Sequence, residues 1–475
     1  MKQIRIVFLS LILLSGSTGI FAAFSDGYEI SITIKGNENS FLTIGYHLGD
    51  KQYIKDTIST DKNGLGVYSG EINLERGLYI VLLPDKRYFD IIVNDDQVFS
   101  LSCNKDDIVG SMQIEGSDEN LNFISYQRKW MKLQNNSRLI KTRMQDNKEN
   151  SDSLDIIKDL LIKNDRKMIE FLKLTADQKP GSFLSLLVKA LIPTETPKFD
   201  IPLNHSNPDS LRWVMGFNYN VEHFFDNVDL SDSRLIRTPI LYGKLETYFR
   251  RILIPHPDSL IKTIPRIVEM TRSDSAMFRY MVVYLFNHFK NSDVMGHDGI
   301  MVRIIDDYFL SGEAYWITED TYNTLKDDAD RLRPSLLGKK GANFIMDTYG
   351  GVHKSLYDIQ NDYTIVYFWE PNCGHCKIST PKLKEFYTKN RNSGVEVFAV
   401  CTQGTRAEWE AYIIDHELDW INGWDPERLT HYDFYYHVTA TPLIYILDKN
   451  KTIIGKNIGV ETIDEIIRNH RLRNR

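Results

Sequence analysis

Residues 363–376 read Tyr-Thr-Ile-Val-Tyr-Phe-Trp-Glu-Pro-Asn-Cys-Gly-His-Cys, an apolar run followed by a turn and a Cys-x-x-Cys pair. The apolar run predicts a buried strand, and the cysteine pair opens the helix that follows it. Unpaired backbone N–H groups and the helix dipole favour negative charge at a helix N-terminus, so we expect them to stabilise the thiolate of Cys373. Cys376 lies about one turn further on, close enough to form a disulfide with Cys373. The segment therefore predicts redox chemistry.

The residues around the pair fit this interpretation. Gly374 is expected to permit the tight turn, and a protonated His375 would further stabilise the Cys373 thiolate and destabilise the disulfide. Pro381 follows inside the predicted helix. Further along, Thr441-Pro442 precedes the apolar run 443–447. A proline that enters a central strand is tolerated best in a special turn, such as one with a cis peptide bond.

In this order, the Phe-Trp-x-x-x-Cys-x-x-Cys motif that contains Trp369, then Pro381, then Thr441-Pro442 resemble the thioredoxin superfamily. The resemblance covers about residues 338–475 and is closest to the exported branch related to cytochrome-maturation reductases. Pro442 lies 69 positions after Cys373, which leaves room for the inserted element of that branch. The resemblance implies an α/β thioredoxin fold.

The resemblance also implies roles for individual residues. Cys373 would be the exposed nucleophile, Cys376 the resolving thiol, and Pro442 the cis-proline that faces them. The backbone of Thr441 would pair with an extended substrate peptide. No cofactor is implied, because the electrons travel through the cysteines. Cys-Gly-His-Cys is the motif of protein disulfide isomerases, which implies a pair that is more oxidising than that of thioredoxin.

Three positions depart from the family pattern. Tyr367 stands where thioredoxin has a buried aspartate, and Ser379 stands where the cytochrome-maturation branch has a glutamate. The group that deprotonates Cys376 is therefore unassigned, although Glu370 is near in sequence. Asn372 replaces the tryptophan that usually precedes the nucleophile, which changes the expected substrate surface.

Other readings of the cysteines are weaker. An inert disulfide or half of a zinc site are the alternatives for the pair, but the sequence offers no second pair of ligands at zinc spacing, so we expect no metal. Cys103 falls on the apolar face of a predicted strand and is expected to be buried. Cys401 ends a strand beside the active strand, where it is either a third redox thiol or, by our preference, a core cysteine.

The first 23 residues have the pattern of a signal peptide. Lys2 and Arg5 precede the apolar run 6–14, and small residues allow cleavage after Ala22. No later stretch has the ~20 apolar residues that a membrane span needs. We therefore expect an exported, periplasmic protein without a transmembrane segment in the mature chain.

The remaining chain divides into three predicted domains. Residues 24–114 alternate with period two and predict an antiparallel β-sandwich, residues 115–334 have helical periodicity, and residues 335–475 alternate strands with helices. Phe224–Asn227 and Met295–Asp298 resemble a helical module found upstream of exported thioredoxin-like domains, as the β-rich start does more loosely. This resemblance implies architecture and no activity.

Composition excludes some partners. The formal net charge is −7 over 475 residues, which gives no reason to expect nucleic acid or an anionic membrane as a partner. A cluster in the helical region could suggest a cation site, but its spacing matches no calcium loop, and turns and helix caps explain its aspartates better. Its members are His223, Asp226, Asp229 and Asp232.

Together these features predict an exported thiol–disulfide oxidoreductase that acts on protein thiols and disulfides and needs a redox partner protein. The first two domains would recruit substrate, orient the redox module or mediate self-association. The alternative is a binding or assembly protein of the cell envelope in which the thioredoxin-like domain is regulatory or incidental.

Overall fold

The computed structural model describes residues 27–148, 151–202 and 206–473, and the predicted signal peptide with Ala22 lies outside these ranges. The chain packs into two compact units. Of the described residues, the first unit contains those up to Pro193 together with Arg237–Ile240, and the second contains those from Thr194 to Ile236 and from Leu241 onward. Within the described ranges, every helix is too short or too polar to cross a lipid bilayer.

The first unit begins with two four-stranded sheets of orders β4-β1-β7-β8 and β3-β2-β5-β6. As predicted, burial alternates with a period of two along the first and seventh strands, and Ile30, Ile32 and Ile34 are fully buried. The pairing is antiparallel except between β1 and β7, which run parallel, so the first sheet is mixed. The elements are β1 Tyr28–Lys35, β2 Phe41–Leu48, β3 Lys51–Ser59, β4 Leu65–Gly70, β5 Gly77–Leu82, β6 Tyr88–Val93, β7 Val98–Asn104, the single turn α1 Ile108–Ser111, and β8 Gln113–Glu115.

The predicted helical region is confirmed. Apolar side chains such as Leu187 and Met281 are buried, and side-chain caps begin several helices: Ser182 accepts the N–H of Ser185, and Asp274 accepts the N–H groups of Ala276 and Met277. In the first unit it comprises α2 Asp118–Asp146, α3 Ser151–Gln178 and α4 Phe183–Leu191. The following helices are α5 Pro208–His223, α6 Pro239–Thr247, α7 Pro257–Glu269, α8 Ser275–Lys290, α9 His297–Ile304 and α10 Glu319–Leu332.

A seven-stranded sheet of order β10-β9-β13-β12-β11-β14-β15 forms the rest of the second unit. Strand β11 is buried along its whole length and pairs parallel with β12 and antiparallel with β14. The elements are β9 Ile345–Thr348, β10 His353–Ser355, β11 Tyr363–Trp369, α11 Gly374–Asn390, β12 Val395–Cys401, α12 Arg406–Asp415, β13 Ile421–Trp424, α13 Tyr432–Tyr435, β14 Leu443–Asp448, β15 Ile453–Lys456 and α14 Ile463–Arg473.

The side chains of β11 alternate between two apolar layers, one on each face of the sheet. Trp369 packs on the face that holds Cys376 and Leu383, and Phe368 packs on the face that holds Phe398 and Tyr436. This double burial explains the continuous apolar run from which the strand was predicted. It also fixes where the strand ends, and so where the cysteine pair begins.

Candidate active site

The cysteine pair lies where β11 gives way to α11. Cys373 is the N-cap of α11, and its sulfur accepts the backbone N–H of Cys376 at 3.1 Å. Cys373 is half-buried, whereas Cys376 faces the core and is fully buried. All four cysteines are free thiols. The expected helix-opening position of the pair is therefore what the chain adopts.

The surroundings shift the pKa values of the two thiols in opposite directions. Partial burial raises the pKa of Cys373, but hydrogen bonds from the Cys376 thiol and backbone N–H outweigh it, and the net pKa lies below the ordinary value. Burial, and then the neighbouring Cys373 sulfur, raise the pKa of Cys376. Of the two thiols, Cys373, which solvent can reach, therefore forms a thiolate more readily than Cys376.

Pro442 lies beside the pair because β14 is the neighbour of β11. The Thr441–Pro442 peptide bond is cis, and the Cys373 thiol donates to the Thr441 carbonyl at 3.5 Å. The sequence prediction of a special turn here is confirmed. The structure thus brings Thr441, Pro442 and Cys373 together, as the resemblance implied.

The supporting residues differ in how they contribute. Trp369 is fully buried and its ring packs against Tyr412 at a centroid distance of 4.9 Å. His375 is exposed on the first turn of α11. The expectation that Gly374 permits a tight turn is wrong: the residue is not in the left-handed region, and a Cβ there would meet nothing within 4 Å. The N-cap geometry of Cys373 makes the turn without a glycine.

Comparison with known proteins agrees with this geometry. A Thioredoxin-like family model matches residues 361–453, which include both cysteines and Pro442. The thiol-disulfide oxidoreductase ResA of Bacillus cereus is 25% identical over 130 residues, which are 27% of this chain and 74% of that protein. A domain of a possible thiol-disulfide isomerase from Cytophaga hutchinsonii is 39% identical, with a TM-score of 0.28, and covers 30% of this chain and 99% of that domain.

The chain belongs to the thioredoxin-like thiol–disulfide oxidoreductases. A longer solved relative is a thioredoxin-like protein from Bacteroides caccae, which is 21% identical with a TM-score of 0.45. That match covers 58% of this chain and 99% of the Bacteroides protein.

A carboxylate whose orientation the sequence left open, that of Glu370, lies beside the turn that carries Pro442. Oε1 of Glu370 accepts the hydroxyl of Thr441 at 2.8 Å and that of Thr402 at 3.3 Å. It therefore ties the end of β11 to the turn that carries Pro442. A glutamate directly after a buried strand was the available signal, but the strand pattern could not show which way the side chain points.

Two hydroxyl groups occupy the place where thioredoxin has a buried aspartate. The hydroxyl of Tyr367 lies 2.9 Å from that of Thr380, and both residues are fully buried. Burial raises the pKa of Tyr367 well above its usual range, so this phenol stays neutral. The core behind Cys376 thus holds polar but uncharged groups at this position.

Cys401 is a core residue. It ends β12 opposite Trp369, is fully buried, and its thiol donates to the Gln403 carbonyl at 3.2 Å. Burial raises its pKa to about 12. The preferred prediction for Cys401 is therefore confirmed.

The aspartates near His223 serve local structure. Asp226 pairs with His223 at 2.8 Å, and Asp229 accepts the N–H of Ser231 at 2.9 Å. Asp232 pairs with Arg234. Across the described ranges, no three His, Cys, Asp or Glu side chains gather in a way that could hold a metal ion.

Proposed function

We propose that this oxidoreductase is exported and exchanges disulfides with protein substrates, with Cys373 as nucleophile and Cys376 as resolving thiol. The observation that carries the proposal is that the two sulfurs differ in burial and that their pKa values shift in opposite directions. Cys373 is half-buried, accepts a helix N–H and has a lowered pKa, whereas Cys376 is fully buried one turn behind it with a raised pKa. The Cys373 sulfur is suited to attack the substrate disulfide, and the Cys376 thiol is suited to stay protonated until it resolves the mixed disulfide.

The reaction has two steps. The Cys373 thiolate attacks one sulfur of a substrate disulfide, which forms a mixed disulfide and releases the other substrate sulfur as a thiolate that takes up a proton. Cys376 then loses its proton and attacks the Cys373 sulfur, which forms the Cys373–Cys376 disulfide and releases the second substrate thiol. The substrate gains two electrons and the protein loses two. A redox partner protein returns them, and the same steps in reverse oxidise a substrate dithiol.

Several features support the wider proposal. The signal-peptide pattern supports export to the periplasm, with cleavage after Ala22. The polypeptide carbonyl at Thr441, next to the Cys373 sulfur, supports a protein substrate, since an extended backbone can pair there. The proposed organisation is 24–114, 115–334 and 335–475, with the first two domains recruiting substrate, orienting the redox domain or mediating self-association.

Insulin reduction by dithiothreitol tests the chemistry. We expect the purified chain to accelerate insulin precipitation and Cys373→Ser to lose this acceleration, because a hydroxyl at this position is not ionised. Cys103→Ala is the matched control, since Cys103 is a buried thiol on β7. Acceleration that survives Cys373→Ser would refute the proposal.

Trapping tests the order of attack. Cys376→Ser leaves the nucleophile without its resolving thiol, so we expect mixed disulfides with exported proteins to accumulate on Cys373. The doubly substituted Cys373→Ser/Cys376→Ser chain is the control and should trap none.

Export is tested by the N-terminus of the mature chain. Mass spectrometry of the chain from the exported fraction should find Ala23 at the N-terminus. A chain that still carries residues 1–22 would contradict the export proposal.

A further inference from the structure

We propose that the segment between α8 and α9, residues 291–296, forms one wall of a groove that binds the substrate polypeptide beside its disulfide. The inference rests on the proposed function and names its substrate class: an extended polypeptide with an apolar side chain next to its cysteine and a basic residue nearby. The groove is a cavity of about 210 Å³ in the second unit. One wall carries Val294 and Met295, and the other carries Pro442 and Leu443.

The wall is preorganised. Buried His297 holds both of its ring nitrogens in hydrogen bonds, at 2.7 Å from the Ser292 hydroxyl and 3.0 Å from the Pro255 carbonyl. Gly296 has a φ of 89°, where a side chain would be strained, and an added Cβ would lie 2.9 Å from Leu337 and Pro257. The segment therefore holds its shape without a ligand, which lowers the entropy lost on binding.

The same wall is fixed to the sheet at its edge strand. Nζ of Lys456 on β15 lies 2.6 Å from Oδ2 of Asp298 and 3.1 Å from the Ser335 hydroxyl. The Lys456 side chain is only 8% exposed. Its backbone N–H also contacts the Met295 sulfur at 3.5 Å. A buried charge that loses its partner costs several kcal/mol, so this pair keeps the segment against the redox domain.

The groove begins at Pro442, one residue along the chain from the carbonyl that the reactive sulfur contacts. Pro442 forms part of its wall, and the preceding residue, Thr441, accepts the Cys373 thiol at 3.5 Å. A polypeptide whose sulfur reaches Cys373 while its backbone follows Thr441 would run along this groove. A volume of about 210 Å³ is below the ~300–1,000 Å³ of drug-sized ligand pockets. It suits one or two side chains of a polypeptide.

The lining selects the occupant by its chemistry. Val294 is 44% exposed and, with Met295 and Leu443, offers apolar surface to an aliphatic side chain. Lys456 is neutralised by Asp298, whereas exposed Asp293 adds negative charge at the rim. An aliphatic side chain complements the apolar surface, and a neighbouring lysine complements the negative charge of Asp293. An acidic segment would be repelled by that charge.

Two disulfides separate this inference from the chemistry itself. The first is a homodimer of a short peptide in which Leu and Lys flank a single cysteine on each side, and a disulfide between the two cysteines joins the copies. The second is bis(2-hydroxyethyl) disulfide, which is too small to reach along the groove. Val294→Lys replaces apolar surface by positive charge. Val352→Lys is the matched control, because Val352 is 53% exposed and lies between β9 and β10, outside the groove lining.

We expect Val294→Lys to lower kcat/KM for the peptide by about tenfold or more, and to leave bis(2-hydroxyethyl) disulfide reduction within about twofold of the parent. Val352→Lys should change neither. An unchanged peptide rate in Val294→Lys, or an equal fall for both disulfides, would overturn the groove. If the parent chain reduces neither disulfide, the proposed function fails and the groove inference fails with it.

Discussion

The ends of β11 and β12 lie side by side, since Trp369 pairs with Cys401 in a parallel register, yet the cysteines at the two ends differ. Cys401 ends its strand inside the core, and burial raises its pKa to about 12. Cys373 lies four residues past the end of its strand and caps α11, and its pKa is lowered. Both cysteines thus lie at the carboxyl end of a central strand. Their pKa values shift in opposite directions because only Cys373 is at the start of a helix.

The pattern extends to the first unit. Cys103 lies near the end of β7 and is buried, and burial raises its pKa to about 11. Burial within a sheet therefore raises the pKa of the thiol in both units. Of these three thiols, Cys373 is the one whose sulfur accepts a backbone N–H, that of Cys376.

Alkylation should show the largest difference. At pH 7 we expect iodoacetamide to modify Cys373 at least about a hundredfold faster than Cys401, because each unit of pKa changes the thiolate fraction about tenfold and Cys401 is fully buried. The Cys373 rate should rise with pH and reach half of its maximum at a lower pH than the rate of an ordinary thiol, since its pKa is lowered. Peptide mass spectrometry measures both rates. Comparable rates for Cys373 and Cys401 in the native chain would contradict the proposed difference between the two thiols. The unfolded chain is the reference, because both thiols should react at the same rate there.

His375→Ala should have the next largest effect. The His375 side chain follows Cys373 by two residues, where it can donate to the thiolate, so its removal is expected to make the reduced form less stable and to lower the reduction potential of the pair by about 30 mV. Equilibration with glutathione measures the potential. His416→Ala, which removes an imidazole at the C-terminal end of α12, is the control and should leave the potential unchanged. An unchanged potential in His375→Ala would leave the backbone donors as the cause of the shift.

Glu370→Ala should lower activity several-fold. It removes the acceptor of the Thr441 and Thr402 hydroxyls, so the turn that carries Pro442 loses a contact to β11 and unfolding becomes easier by about 1–2 kcal/mol. Glu370→Gln keeps an acceptor oxygen and should retain most of the activity. Insulin turnover and urea unfolding measure the two effects. Equal losses in both variants would show that the charge, rather than the hydrogen bond, matters.

Cys401→Ala should have the smallest effect on chemistry. We expect insulin reduction within about twofold of the parent and a loss of unfolding free energy of about 1 kcal/mol from the removed sulfur. Thermal unfolding measured beside the activity separates the two. A large loss of activity at unchanged stability would reinstate Cys401 as a third redox thiol.

The sequence predicted the strand, the cysteine pair and the proline because each leaves a local signal. A continuous apolar run fixes a buried strand, and Cys-x-x-Cys fixes two sulfurs one turn apart. The short strands β9, β10, β13 and β15 were not predicted, since three or four residues hold too little periodicity and β13 includes Asn422 and Gly423. Their conformation is imposed by pairing with neighbouring strands.

By itself, the sequence determined which sulfur heads a helix, because helix starts depend on nearby residues. Only the tertiary structure decided what surrounds it. The carboxylate of Glu370 reaches Thr441 across 71 positions, and Asp298 reaches Lys456 across 158. Contacts between residues so far apart depend on how strands and helices pack, and no local pattern encodes the direction in which a side chain then points.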